Sequence, residues 1–110
     1  MRMWLVAPEK MCNQHLLGEH VEMHMFVGSI RKGISMAGYT SAGLVDVTQI
    51  KKRHASLVRE MKQRGMDHKS PMLEPMRELL SRFIEPRGHV DPVASYTELL
   101  RRCPQCRALK

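Results

Sequence analysis

The 110-residue sequence predicts an all-α protein, a small single-domain bundle of three to four helices spanning residues 1–110. Three features carry that expectation. Apolar residues return every three or four positions in several stretches. No stretch of useful length alternates apolar with polar residues as a half-buried strand would. Glycine clusters, prolines and capping residues punctuate the periodic stretches.

The first helix is expected from about Met11 to Arg31, with Leu16, Leu17, Met23, Val27 and Ile30 on its inner face. Gly33, Gly38 and Gly43, among Ser, Tyr and Thr, read as a flexible connector. Asp46-Val-Thr-Gln49 resembles a capping box, and Val47, Ile50, Leu57, Val58 and Met61 give a second helix one apolar face through Arg64. Gly65 is a natural C-terminal stop. Pro75 fits a first turn ahead of a third stripe, Met76, Leu79, Leu80 and Phe83. Asp91 caps a short last helix, with Pro92 at its first position and Val93, Tyr96, Leu99 and Leu100 facing inward.

The net charge of +7 favours phosphate-rich partners over acidic small molecules. No apolar run approaches the ~20 residues that span a bilayer, and Met3–Val6 is too short for a signal-peptide core. Three cysteines are an odd count for a disulfide scaffold, so the chain is expected in a reducing compartment, the cytoplasm.

Chemistry concentrates at the start of the chain. On the first helix His15, Gly18, Glu22 and Met25 share one arc beside the apolar face, with Glu19 at its margin. A glycine in a helix costs about 1 kcal/mol against alanine, and here it leaves room beside Glu22 and His15. Arg2 is too large for methionine removal, so Met1 is expected to stay. Its α-amine has a pKa near ~7.7–8.0, more than two units below that of lysine, so a useful fraction is neutral and nucleophilic at pH 7. If Trp4, Leu5 and Val6 pin the terminus against the helix, Glu22 can reach that amine. An amine and a carboxylate in one cleft equip a protein for imine chemistry at a sugar C1′.

These residues carry a resemblance. Arg2, Gln14-His15-Leu16, Glu19, Glu22, Gly28, Arg31 and Lys32, without a gap, and then Lys52, Arg53, Leu57, Glu60, Arg64 and Gly65, resemble the pyrimidine-dimer DNA glycosylase family of the phage endonuclease V type over residues 1 to about 69. The resemblance implies an all-α fold with the N-terminal segment packed between helices. It implies a glycosylase with abasic-site lyase activity on damaged duplex DNA, with no cofactor, acting as a monomer. The Met1 α-amine would be the nucleophile and Glu22 the carboxylate that stabilises the cationic sugar. Arg2, His15, Arg31 and Lys32 would engage DNA. The sequence departs from the family in three respects: Met1 stands where a threonine is usual, Val21 and Met25 stand where phosphate-binding arginines do, and "RRCPQCRALK" replaces an aromatic tail. A dimer, a modified base or an abasic site therefore remain open as targets. Basic residues of the second helix and Arg101, Arg102, Arg107 and Lys110 are candidates for further phosphate contacts. The alternative function is a non-catalytic, zinc-stapled DNA-binding module of the same fold.

Cys103-Pro-Gln-Cys106 is half a zinc site by spacing, and Cys12-Asn-Gln-His15 supplies a candidate second half. Against it, Cys12 also reads as a small buried residue and His15 as part of the DNA pocket, so no metal ligand is assigned at this point. His20 and His24, one turn apart, face the other helices and are expected to be hydrogen-bonded core histidines.

Overall fold

Local chemistry sets where several of the helices begin. The structure, a computed structural model, describes residues 1–109; Lys110, named above as a phosphate contact, lies outside them. Helix α1 spans Asn13–Arg31, starting where the Cys12 sulfur accepts the His15 N–H. Its buried side is Leu16, Glu19, His20, Met23, Phe26, Val27 and Ile30. Leu17, expected inside, is 41% exposed because it lies one position off that stripe.

Helix α2, Ala37–Ser41, occupies the stretch expected to be a loose connector. A tertiary contact orders it. Glu85 accepts the Ser35 hydroxyl at 2.6 Å and the Met36 N–H at 2.9 Å, so a distant carboxylate caps a segment that glycine would otherwise loosen. Met36 is fully buried and Tyr39 packs edge-to-face on Phe26 at 5.2 Å.

Asp46 is buried and accepts the Thr48 N–H, the Thr48 hydroxyl and the Gln49 amide at 2.6–3.0 Å. These bonds open a 3-10 turn, Val47–Gln49, that runs into α3, Ile50–Gln63. The reciprocal bond of the expected capping box is made side chain to side chain. Gly65 ends the helix region with φ +78°, as its position implied. Helices α1 and α3 form the principal pair, burying Ile50, Leu57 and Met61 of α3 against the α1 stripe.

Helix α4, Met76–Ser81, has Pro75 at its N-cap instead of inside its first turn. Asp91 caps α5, Pro92–Arg102, through the Val93 and Ala94 N–H groups, as expected. Val93, however, is 77% exposed, and Ser95 takes the inner position beside Leu99. A last helix, α6, Pro104–Ala108, was not anticipated: five residues are too few to show a period. Cys103 ends α5 and starts α6, its sulfur accepting the Cys106 N–H.

The N-terminal segment runs in extended form among the helices, with Met3, Trp4 and Val6 in the core. Met3 donates its N–H to the Leu44 carbonyl at 2.6 Å. Leu5 turns the segment with φ +55°, a left-handed conformation that a branched side chain adopts at a cost of about 1–3 kcal/mol, so the surrounding contacts must hold it. No described helix is long and apolar enough to cross a membrane.

Two predictions test this scaffold. Gly88 has φ +84°, and a Cβ there would lie 2.1 Å from the Val45 carbonyl oxygen, where the Arg87 carbonyl accepts the Val47 N–H. Gly88→Ala is expected to cost more than ~3 kcal/mol by urea unfolding. Burial pushes the Asp46 carboxyl up, but the bonds from Thr48 and Gln49 and the nearby Arg87 outweigh it and leave the pKa lowered. A depressed folded-state pKa gives stability that is present above the unfolded value of about 3.9 and lost as pH falls through the folded one. Asp46→Asn should therefore cost about 1–2 kcal/mol at pH 7 and flatten the acid limb of a stability–pH curve.

Candidate active site

A buried ion pair organises the site. Arg53 of α3 donates Nε to Glu19 Oε2 at 2.6 Å and Nη2 to Glu19 Oε1 at 2.8 Å, a two-point geometry. Both side chains are at most 5% exposed. Each group also reaches the N-terminal segment: Glu19 Oε2 accepts the Trp4 N–H at 3.1 Å, and Arg53 Nη1 donates to the Val6 carbonyl at 2.8 Å, while Arg53 Nη2 reaches the Met11 sulfur at 3.3 Å. The pair thereby fixes residues 4–6 from both sides.

Glu22 lies one turn beyond Glu19 on the same face. Its Oε1 accepts the Arg2 N–H at 3.1 Å and lies 3.6 Å from the Met1 α-nitrogen. A cleft of about 330 Å³ surrounds this contact, lined by Met1, Arg2, Trp4, His15, Glu22, Leu44 and Arg102. The Arg2 guanidinium stacks on the Trp4 ring at 3.8 Å and reaches Ser95 Oγ at 3.4 Å. Arg2 Nε is buried without a hydrogen-bond partner among the described residues. Burial, and then the nearby Arg102, lower the Arg2 pKa, partly offset by Glu98, Glu19 and Glu22. An Arg donor withheld from water beside another arginine is an electropositive pocket that an oxygen acceptor would complete.

Of the residues singled out in sequence, the structure brings Met1, Arg2, His15 and Glu22 to one cleft. Arg31 and Lys32 are not there. Nine residues beyond Glu22, Arg31 lies about 14 Å further along α1 and pairs with Glu74 at 3.1 Å. Gly18 faces open space, where an added Cβ meets nothing within 4 Å. Val21 and Met25 are 54% and 50% exposed on the outer side of α1. Ser95 and the Glu19–Arg53 clamp were not foreseen. Glu19 looked marginal on the helical wheel, and only the later helix supplies its partner.

Two side-chain clusters gather on α1. Cys12, His15, Cys103 and Cys106 bring three sulfurs and one ring nitrogen within 4.8 Å of one another. Burial pushes the Cys106 thiol up to about 12. Across α1, His20 and His24 meet His54 of α3 and His68, with ring centroids 4.8–5.4 Å apart. Burial first, and then His54, His24 and His68, lower the His20 pKa to about 4.

Removing one partner of a buried, hydrogen-bonded pair typically costs about 3–5 kcal/mol, because the other charge is left uncompensated. Glu19→Ala should destabilise the chain by that amount in chemical unfolding. It should also raise hydrogen exchange at the Trp4 amide, whose acceptor is lost.

No curated protein and no solved structure matches this chain. The family described as pyrimidine dimer DNA glycosylase matches residues 1–74. That span contains α1, α3, the N-terminal segment, Glu22 and the Glu19–Arg53 clamp. The chain belongs to the pyrimidine dimer DNA glycosylase family.

Proposed function

We propose that the protein is a DNA glycosylase with associated abasic-site lyase activity, acting as a monomer in the cytoplasm on damaged duplex DNA. The observation that carries this reading is the 3.6 Å approach of the Met1 α-nitrogen to Glu22 inside an electropositive cleft. Glu22 takes a proton from the α-ammonium group, and the freed lone pair attacks C1′ of the damaged nucleotide. The C1′–base bond breaks, and the base leaves with the bonding pair and collects that proton. The C1′–O4′ bond then opens, one amine proton passing to O4′ as it leaves with the bonding pair, which gives a protonated Schiff base. Loss of a C2′ proton to Glu22 then expels the 3′ phosphate by β-elimination, and water releases the amine.

The flanking residues have matching tasks. Arg2 offers its unpartnered Nε to a phosphate or base oxygen, while Trp4 holds the guanidinium plane. Arg102 adds a second positive group at the rim of the cleft. His15 forms its wall, and Arg31 and Lys32 contact backbone phosphate farther along the duplex. With Val21 and Met25 in place of cations, the outer face of α1 contributes apolar contact, and the grip on phosphate shifts towards Arg2 and the end of α5.

Borohydride reduction on a duplex containing an abasic site should give a covalent adduct that maps to the Met1 α-nitrogen by mass spectrometry. Glu22→Gln should lower the rate of strand cleavage by about 10²–10⁴-fold while leaving duplex affinity within a few fold. An adduct mapping to a lysine would sink the assignment of Met1. No adduct with the parent protein, despite DNA binding, would leave the non-catalytic DNA-binding module.

A further inference from the structure

The thiol and imidazole groups around α1 are arranged as ligand sets, and we propose that the chain carries two structural metal sites: zinc at Cys12, His15, Cys103 and Cys106, and a second divalent ion of the zinc class at His20, His54 and His68, with His24 beside them. Neither site depends on the catalytic reading, and each stands on its own geometry.

Zinc–sulfur and zinc–nitrogen bonds of about 2.3 and 2.0–2.1 Å, at tetrahedral angles, put two sulfur ligands about 3.8 Å apart and a sulfur and a nitrogen about 3.6 Å apart. Cys12 Sγ lies 3.8 Å from Cys103 Sγ, and His15 Nδ1 lies 3.3 and 3.7 Å from the sulfurs of Cys12 and Cys106. Those are the edges of a coordination tetrahedron. They exceed a disulfide bond of about 2.0 Å by far. Backbone groups support the sulfurs as they would support thiolates: Cys12 N–H donates to Cys106 Sγ at 3.2 Å, His15 N–H to Cys12 Sγ at 3.5 Å and Cys106 N–H to Cys103 Sγ at 3.4 Å. All three cysteines are buried, and a Cys₃His donor set selects zinc. The ion would tie α6 and the end of α5 to the start of α1, which sets the place of Arg102 and the ring of His15 in the cleft.

The histidine cluster fails a hydrogen count. His24 Nε2 lies 3.1 Å from His54 Nε2, and His68 Nε2 lies 3.1 Å from His20 Nε2. The Ser70 carbonyl oxygen also lies 2.9, 3.3 and 2.9 Å from the Nε2 atoms of His24, His54 and His68. A neutral imidazole carries one N–H, each N–H points at one acceptor, and a nitrogen that accepts cannot also donate. On that accounting no more than three of these five contacts are hydrogen bonds, and the rest set like groups against each other, lone pair to lone pair or N–H to N–H. A cation among the ring nitrogens of His20, His54 and His68, which lie within 4.8 Å of one another, would turn facing nitrogens into ligands. The 3.1 Å separation of His20 and His68 is close to the ~3.3 Å edge expected between two nitrogen ligands of a tetrahedral ion. The Nδ1 atoms stay free to donate. This site would fasten the 66–70 segment across α1 and α3.

Metal analysis and cobalt substitution test both sites on the full chain. Protein purified without chelator should contain about two equivalents of zinc, and Cys106→Ser and His68→Gln about one each. Reconstitution with Co²⁺ should give intense visible bands typical of tetrahedral cobalt, together with a near-ultraviolet thiolate-to-cobalt band. That band should vanish in Cys106→Ser and persist in His68→Gln. Absence of the thiolate band from the parent protein overturns the cysteine site, with no variant needed. One equivalent of zinc with the thiolate band present, unchanged by His68→Gln, overturns the histidine site. Because metal content and spectra are read without DNA, these outcomes are independent of any trapping result.

Discussion

The Glu19–Arg53 pair is the constraint on which the rest depends. A buried pair contributes little net stability, because desolvation cancels much of the attraction, but it is unforgiving about position. Here the pair also reaches the N-terminal segment, at Trp4 N–H and the Val6 carbonyl, with one further Arg53 donor on the Met11 sulfur. A six-residue terminus, the sort of segment that ordinarily frays, becomes an interior element. The left-handed Leu5 between those two anchor points is tolerated only because both of its neighbours are held. Once residues 4–6 are fixed, Arg2 and Met1 have little freedom left, and their approach to Glu22 follows.

The cleft then acquires its charge from outside that clamp. Arg2 is stacked on Trp4, Arg102 arrives from α5, and among the described residues Glu22 is the single carboxylate lining the cleft. An α-amine, a carboxylate and two guanidinium groups thus share a space of about 330 Å³. For a polyanionic substrate that balance favours association, while the carboxylate stays close enough to the amine to exchange its proton. The remote Arg31–Glu74 pair contributes to the surface and not to this chemistry.

The all-α class, α1, α3, the Asp46 and Asp91 caps and the Gly65 stop were legible, because each follows from periodicity or from a local bond between neighbours in sequence. Met1, Arg2, His15 and Glu22 were legible as a group through helical spacing and an ungapped resemblance. What escaped was set by distant partners. Helix α2 needs Glu85 to cap it, α6 is too short to display a period, and Val93 cedes the inner position to Ser95, whose hydroxyl meets Arg2. Arg53 was noted only as a matching residue, since nothing local reveals that its partner is Glu19. The histidines were split among α1, α3 and the 66–70 segment, so the spacing of His20 and His24 alone underdetermined the cluster.

The two ends of the chain meet at the cleft. Arg2 reaches Ser95 across 93 positions, and the Cys12 N–H reaches the Cys106 sulfur across 94. Contacts of such long sequence separation carry a high loop-closure cost and slow folding. During synthesis the first residues emerge long before the ones that finish their surroundings. A nascent chain still lacking α5 and α6 would therefore display the Met1 amine without Arg102 beside it, and the cleft would gain its full surroundings only once that later stretch had left the ribosome.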